Sequence, residues 1–216
     1  MSRLAHRYLD GLAGIEIGGS AHNAFGLNTR NVDYTASLDT SFKRAEIGYV
    51  GRAMPVDIVA RAEELPLADS SVDFVLTSHV LEHMWNPVLA LREWRRVTRP
   101  GGFCFAIIPH PDRTFDRGRA TTTLAELQGR TGRPVPPQEH VNVFRPEMIA
   151  EVFDAAGGYR ILEIQEPDDR VSNGFTVVAQ VEKARPDRRP VELRHRCGDP
   201  QNRDEFSIQV QPLALD

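Results

Sequence analysis

Five of the seven histidines in this chain, His22, His79, His83, His110 and His140, fall in predicted loops or at predicted strand ends. Histidine changes charge nearest neutral pH, so any of them could take a proton from a reacting hydroxyl. Glu82, Asp112 and Glu139 lie beside them in the chain. Carboxylate oxygens and imidazole nitrogens together could instead hold a divalent ion such as Mg2+, which acidifies a bound hydroxyl. No fixed ligand spacing is recognisable among these residues, so no metal residue is assigned. Most histidines in a folded chain only satisfy neighbouring backbone groups, and residue type alone leaves open which of these is a base. His6 and His195 lie in the terminal segments and read as surface residues.

A second cluster, Ile15-Glu16-Ile17-Gly18-Gly19-Ser20, is a strand running into small residues. Glycine there lets the backbone approach a ligand closely. Asp33 ends the next strand, where a carboxylate can accept both hydroxyls of a ribose.

Alternation of apolar and helix-like stretches between residue 14 and about residue 182 predicts a Rossmann-like, seven-stranded, mostly parallel α/β sheet with helices on both faces. Strands are expected at residues 14–17, 31–34, 56–59, 72–77 and 103–108. The last two, at 159–164 and 175–181, are close enough in the chain to form an antiparallel closing pair. Val88, Leu91, Trp94 and Val97 put apolar surface at helical spacing over 87–98, and Arg99-Pro100-Gly101-Gly102 stops that helix. A second helix fits 146–156, with Gly157-Gly158 as its stop. Residues 109–145 are rich in Pro, Gly, Arg and Thr, with a short helix at 122–128, and read as a lid-like insertion. The domain is expected to occupy residues 1–183. Residues 184–216 form a tail whose alternating segment at 206–210 could add a strand or pack on a neighbour, compatible with a homodimer.

Composition excludes several classes. The formal charge is −4 and basic residues are scattered, so the footprint of a nucleic-acid binder is missing. No apolar run approaches the roughly 20 residues needed to span a bilayer, and the first residues lack the apolar core of a secretory signal, so a cytoplasmic location is expected. Cys104 sits in an apolar run and reads as a core residue; Cys104 and Cys197 are not a metal or disulfide framework.

Residues 63–102 contain Glu63-Glu64-Leu65-Pro66, Asp73-Phe74-Val75-Leu76, Val80-Leu81-Glu82-His83, Glu93, Arg96-Val97 and Arg99-Pro100-Gly101-Gly102. In order and spacing this set resembles the small-molecule branch of the class I S-adenosylmethionine-dependent methyltransferases, a resemblance covering roughly residues 14–182. It implies that Glu16, Gly18, Gly19 and Ser20 surround the methionine part of S-adenosyl-L-methionine and that Asp33 holds its ribose. It further implies that Ala62 and Glu63 flank the adenine and that Ser78 and His79 line the sulfonium. Three positions depart from the family pattern: Ser20 and His22 replace further glycines, and Arg61 replaces an acid before Ala62.

Methyl transfer from a positive sulfur depends on holding acceptor and methyl in line, and an alcohol acceptor must also lose its proton. For that proton the resemblance offers His140 after the insertion and His83, while His110 follows the fifth expected strand. Ile17 to Asn23 and Phe25-Gly26-Leu27-Asn28 are similar to methyltransferases of bacterial polysaccharide and natural-product pathways, including those making methylated mannosides. The expected partner is therefore a small-molecule or saccharide acceptor carrying a hydroxyl. Two other classes remain: a domain that binds the cofactor without turnover, and an NAD-dependent oxidoreductase. The second needs a G-x-G-x-x-G turn for a pyrophosphate, which Gly18-Gly19-Ser20-Ala21-His22-Asn23 does not provide.

Overall fold

The computed structural model describes residues 1–132 and 139–182. The expected tail at 184–216, its alternating segment and part of the insertion lie outside the described residues.

Seven strands form one sheet in the order β3-β2-β1-β4-β5-β7-β6. These are β1 (Gly14–Ile17), β2 (Thr29–Asp33), β3 (Ile58–Val59), β4 (Val72–Ser78), β5 (Thr98–Pro109), β6 (Tyr159–Gln165) and β7 (Gly174–Val181). The first five run parallel, and β7 pairs antiparallel with both β5 and β6. The mostly parallel α/β architecture and the closing antiparallel pair are those expected from the sequence.

Side chains alternate across this sheet with the period of two that an extended backbone imposes. On β4, Val75 joins one apolar layer and Phe74 and Leu76 the other; on β5, Cys104, Ala106 and Ile108 face opposite to Phe105 and Ile107. The first layer is covered by Leu91, Trp94 and Val97 of α3 (Pro87–Val97) and by Ile149, Val152 and Phe153 of α5 (Pro146–Ala156). The second packs under Leu4, Ala5 and Leu9 of α1 (Arg3–Leu9). Cys104 is a core thiol, its pKa pushed up to about 12 by burial.

Two helices have no counterpart among the expected elements: α1, and α2 (Ser41–Val50). The residues α2 buries are Lys43 and Glu46, so its inward face is polar and carries no hydrophobic periodicity. The third strand is shorter than expected, because Asp57 turns its carboxylate onto the Asn31 amide (2.7 Å) and pairing with β2 begins only at Ile58. Within the insertion, α4 (Leu124–Gly129) starts at a capping box between Thr123 and Glu126. Its Leu127 is buried in the first apolar layer, and Thr122 exchanges hydrogen bonds with Val143. The described parts of the insertion are thus anchored more firmly than their composition suggests. No helix among the described residues is long and apolar enough to cross a membrane.

Candidate active site

A cavity of about 760 Å³ opens at the carboxyl ends of β1, β2 and β4, where ligands bind in open α/β sheets. Gly18 forms its floor with φ of +70°, and a Cβ there would come within 2.7 Å of the Val80 side chain. Gly19 is equally crowded: its amide donates to Asn31 Oδ1 at 3.0 Å, and a Cβ would meet that oxygen at 2.8 Å. The glycine turn is therefore demanded by packing as well as by backbone angle.

Of the residues singled out in the sequence, Glu16, Gly18, Gly19, Ser20, Asp33, Ala62, Ser78, His79, His83 and His140 line this cavity. Glu63 and His110 are not among its lining residues. Glu63 pairs with Arg61 at 2.7 Å. His110 accepts the Asp112 amide on Nδ1 and places Nε2 3.4 Å from Glu166. His110 directly follows β5, as the sequence suggested, and Glu63 lies in the turn after β3, but the side chains of both are held elsewhere. His22, one of the departures from the family pattern, lines the cavity with Nδ1 2.6 Å from Ser20 Oγ.

At one end of the cavity α2 closes over the glycine turn. Lys43, 3% exposed, sits 3.1 Å from Glu46 and 3.9 Å from Asp33, and donates to the Gly19 and Met54 carbonyls, each at 3.4 Å. Glu46 in turn accepts from the amides of Ala21 and Met54. Burial raises the Asp33 pKa, and the Lys43 ammonium opposes that rise. Burial also lifts Glu16 to about 7, against the Thr29 hydroxyl and the charges of Arg170 and Lys43. Between pH 4.5, its ordinary value, and pH 7 the folded chain therefore keeps a proton that the unfolded chain has released. This contribution to stability is greatest at low pH and is lost as the pH rises to about 7. The thermal midpoint of Glu16→Gln should accordingly fall less steeply over that range than that of the parent chain, and parallel curves would refute the assignment.

At the other end four side chains converge. Glu82, wholly buried, has Oε1 3.7 Å from His79 Nδ1, from His83 Nε2 and from His140 Nε2. Burial, reinforced by the nearby Asp116 charge, raises Glu82 to about 8, while burial pushes His79 down. His79 adopts φ of +55°, an uncommon backbone for a residue with a Cβ, and its amide donates to the Ile107 carbonyl. His140 Nδ1 lies 2.6 Å from Asp116 Oδ2 and His83 Nδ1 lies 3.0 Å from the Glu139 carbonyl. Asp116 is itself buried and paired with Arg119. Sequence reasoning singled out neither Asp116 nor the α2 residues. Asp116 lies 24 positions from His140 within an irregular segment, and no local spacing links the two.

Residues 16–106 match a family model described as a methyltransferase domain. A probable S-adenosylmethionine-dependent methyltransferase of Mycolicibacterium smegmatis is 34% identical over 143 residues, a match covering 59% of this chain and 54% of that protein. The chain thus spans about half the length of that relative. Among solved structures, an S-adenosylmethionine-dependent methyltransferase of Methanosarcina mazei superposes with a TM-score of 0.57 at 16% identity, covering 84% of this chain and 98% of that one. The [4+2]-cyclase SpnF superposes with a TM-score of 0.53 at 16% identity, covering 83% and 78%. These two likenesses concern the fold, which evidently also carries a cyclase. Over residues 16–106 the chain is thus similar to a methyltransferase domain, and its sheet and glycine turn have the fold seen in class I S-adenosylmethionine-dependent methyltransferases.

Proposed function

We propose that this protein is an S-adenosylmethionine-dependent O-methyltransferase acting on a hydroxyl of a small molecule or saccharide. The observation that carries the reading is the cavity's division into two unlike ends. The Gly18-Gly19 turn, Glu16 and Asp33 suit the methionine and ribose parts of the cofactor. The His79, Glu82, His83 and His140 cluster suits an acceptor that must give up a proton.

In this reading the cofactor supplies an activated methyl group on a positive sulfur. The chain's part is to align the acceptor oxygen with it and to receive the proton. Asp116 fixes the His140 ring with its Nδ1 proton toward the carboxylate, which leaves Nε2 as the acceptor. As the methyl carbon bonds to oxygen, its bond to sulfur breaks, the sulfur keeps the electron pair, and the hydroxyl proton passes to Nε2.

Exposed aromatic rings on the cavity wall, Tyr49 (75%) and Phe115 (76%), offer flat apolar faces to a ring-shaped acceptor such as a sugar. A net charge of −4 disfavours a polyanionic acceptor. Nothing in this proton path requires Mg2+.

The test is transfer of labelled methyl from S-adenosylmethionine to a panel of saccharides, phenols, amines and carboxylic acids, run beside calorimetric titration of the cofactor. Base-stable label on hydroxyl acceptors is expected. Label on amines alone would overturn the O-methyl reading, and cofactor binding with no transfer to any acceptor class would favour a domain that binds without turnover.

A further inference from the structure

Three atoms with lone pairs that point at one another need a proton or a metal cation between them. Glu82 is 0% exposed, and among the described residues neither of its carboxylate oxygens has a hydrogen-bond partner. Leaving such a group unpaired away from water is costly. His83 and His140 both turn their δ-nitrogens onto acceptors, the Glu139 carbonyl and the Asp116 carboxylate, so these nitrogens carry the ring protons. Their ε-nitrogens, each 3.7 Å from Glu82 Oε1, then present lone pairs to it.

We propose that Glu82, His83 and His140 bind a divalent transition-metal ion, with His79 beside them as a further donor and the ion's open positions facing the cavity. The donor atoms of the first three residues lie within 4.8 Å of one another. Metal–ligand bonds of about 2.0–2.2 Å place neighbouring donors roughly 3.0–3.5 Å apart, so binding draws these atoms in from 3.7 Å at Glu82 and from within 4.8 Å across the set, a change that side-chain rotations can supply. The partners behind the rings are those that orient metal-ligating histidines: a carboxylate for His140 and a backbone carbonyl for His83. Two imidazoles and one carboxylate suit Mn2+, Fe2+, Co2+, Ni2+ or Zn2+, whereas Mg2+ prefers oxygen ligands and retains its waters. The donor set therefore does not favour the Mg2+ that the sequence left open.

The ion deepens the reading of the site as a hydroxyl-activating centre and rests on that reading for its role in turnover. A hydroxyl oxygen bound at an open position is acidified, so its O–H bond breaks and the proton goes to solvent water rather than to His140. The alkoxide oxygen then takes the methyl group as the carbon–sulfur bond breaks.

Binding is tested without acceptor or cofactor, so that it can fail separately from methyl transfer. Metal-stripped full-length protein is titrated with Co2+, following the visible ligand-field absorption and the stoichiometry by equilibrium dialysis. One Co2+ per chain is expected, displaced by Zn2+ but not by a large excess of Mg2+. Glu82→Gln and His83→Gln should each weaken uptake at least tenfold, with circular dichroism and thermal melting verifying their folds. Co2+ binding of equal strength in the parent chain and both folded variants, or none in the parent, would overturn the site. With an acceptor in hand, turnover should fall on chelation and return with Mn2+ or Co2+. Full turnover in chelator by protein shown to be metal-free would overturn the ion's catalytic role and leave the proton with His140.

Discussion

Replacing His140 by alanine should lower turnover by about 10²–10⁴-fold while the dissociation constant for S-adenosylmethionine stays within roughly twofold. The ring meets Glu82 and Asp116 at the acceptor end and is remote from the glycine turn in the chain, so its loss should act on the chemical step. The fold should survive, because Asp116 keeps Arg119 as a partner. His83→Ala should follow the same pattern, with the added loss of the ring that Phe42 meets edge-on at 5.4 Å. Asp116→Asn should keep the His140 ring packed but remove the charge behind it, giving a smaller fall in turnover than His140→Ala. Initial rates and calorimetry on purified variants decide the matter. Near-normal turnover in both His140→Ala and His83→Ala would remove the cluster from the mechanism.

Asp33→Ala should weaken S-adenosylmethionine binding roughly tenfold or more. Each charge-assisted hydrogen bond to a ribose hydroxyl is worth about 1.5–3 kcal/mol, and two would be lost. The charges around Asp33 supply a control. Lys43 lies 3.9 Å from Asp33 but 3.1 Å from Glu46, so it keeps a counter-ion when Asp33 is removed. A collapse of α2 is therefore not expected, and the thermal midpoint should shift little compared with the change in affinity. Asp33→Asn retains one acceptor oxygen and should fall between the parent and Asp33→Ala. An unchanged dissociation constant in a folded Asp33→Ala would move the ribose away from β2.

The two ends of the cavity differed in how far local sequence revealed them. Gly18, Gly19 and Asp33 were legible because a strand ending in small residues, followed by a second strand ending in an acid, is a pattern read over a few positions. The sheet was legible for the same reason: buried parallel strands such as Phe103 to Ile108 are short continuous apolar runs, and α3 declares itself through Val88, Leu91, Trp94 and Val97. Helix α2 was not legible. It buries Lys43 and Glu46 against the glycine turn, and an inward face made of charges looks in sequence like a solvated one.

The positions of chemically capable side chains were thus set by the chain's own short-range pattern, but their directions were not. His110 follows β5 and Glu63 sits in the turn after β3, yet Asp112, Glu166 and Arg61 hold them outside the cavity lining. His83 and His140 are 57 residues apart and meet with ring centroids 4.8 Å apart. Asp116 reaches His140 from an irregular segment, and Glu82 is enclosed by all of them. By itself, the sequence determined the sheet, the glycine turn and the acid at the end of β2, because strand periodicity and backbone freedom are local properties. Only the tertiary structure decided which histidines share a carboxylate, because that depends on how β4, β5 and the segment after them pack, and packing joins residues that no sequence spacing connects.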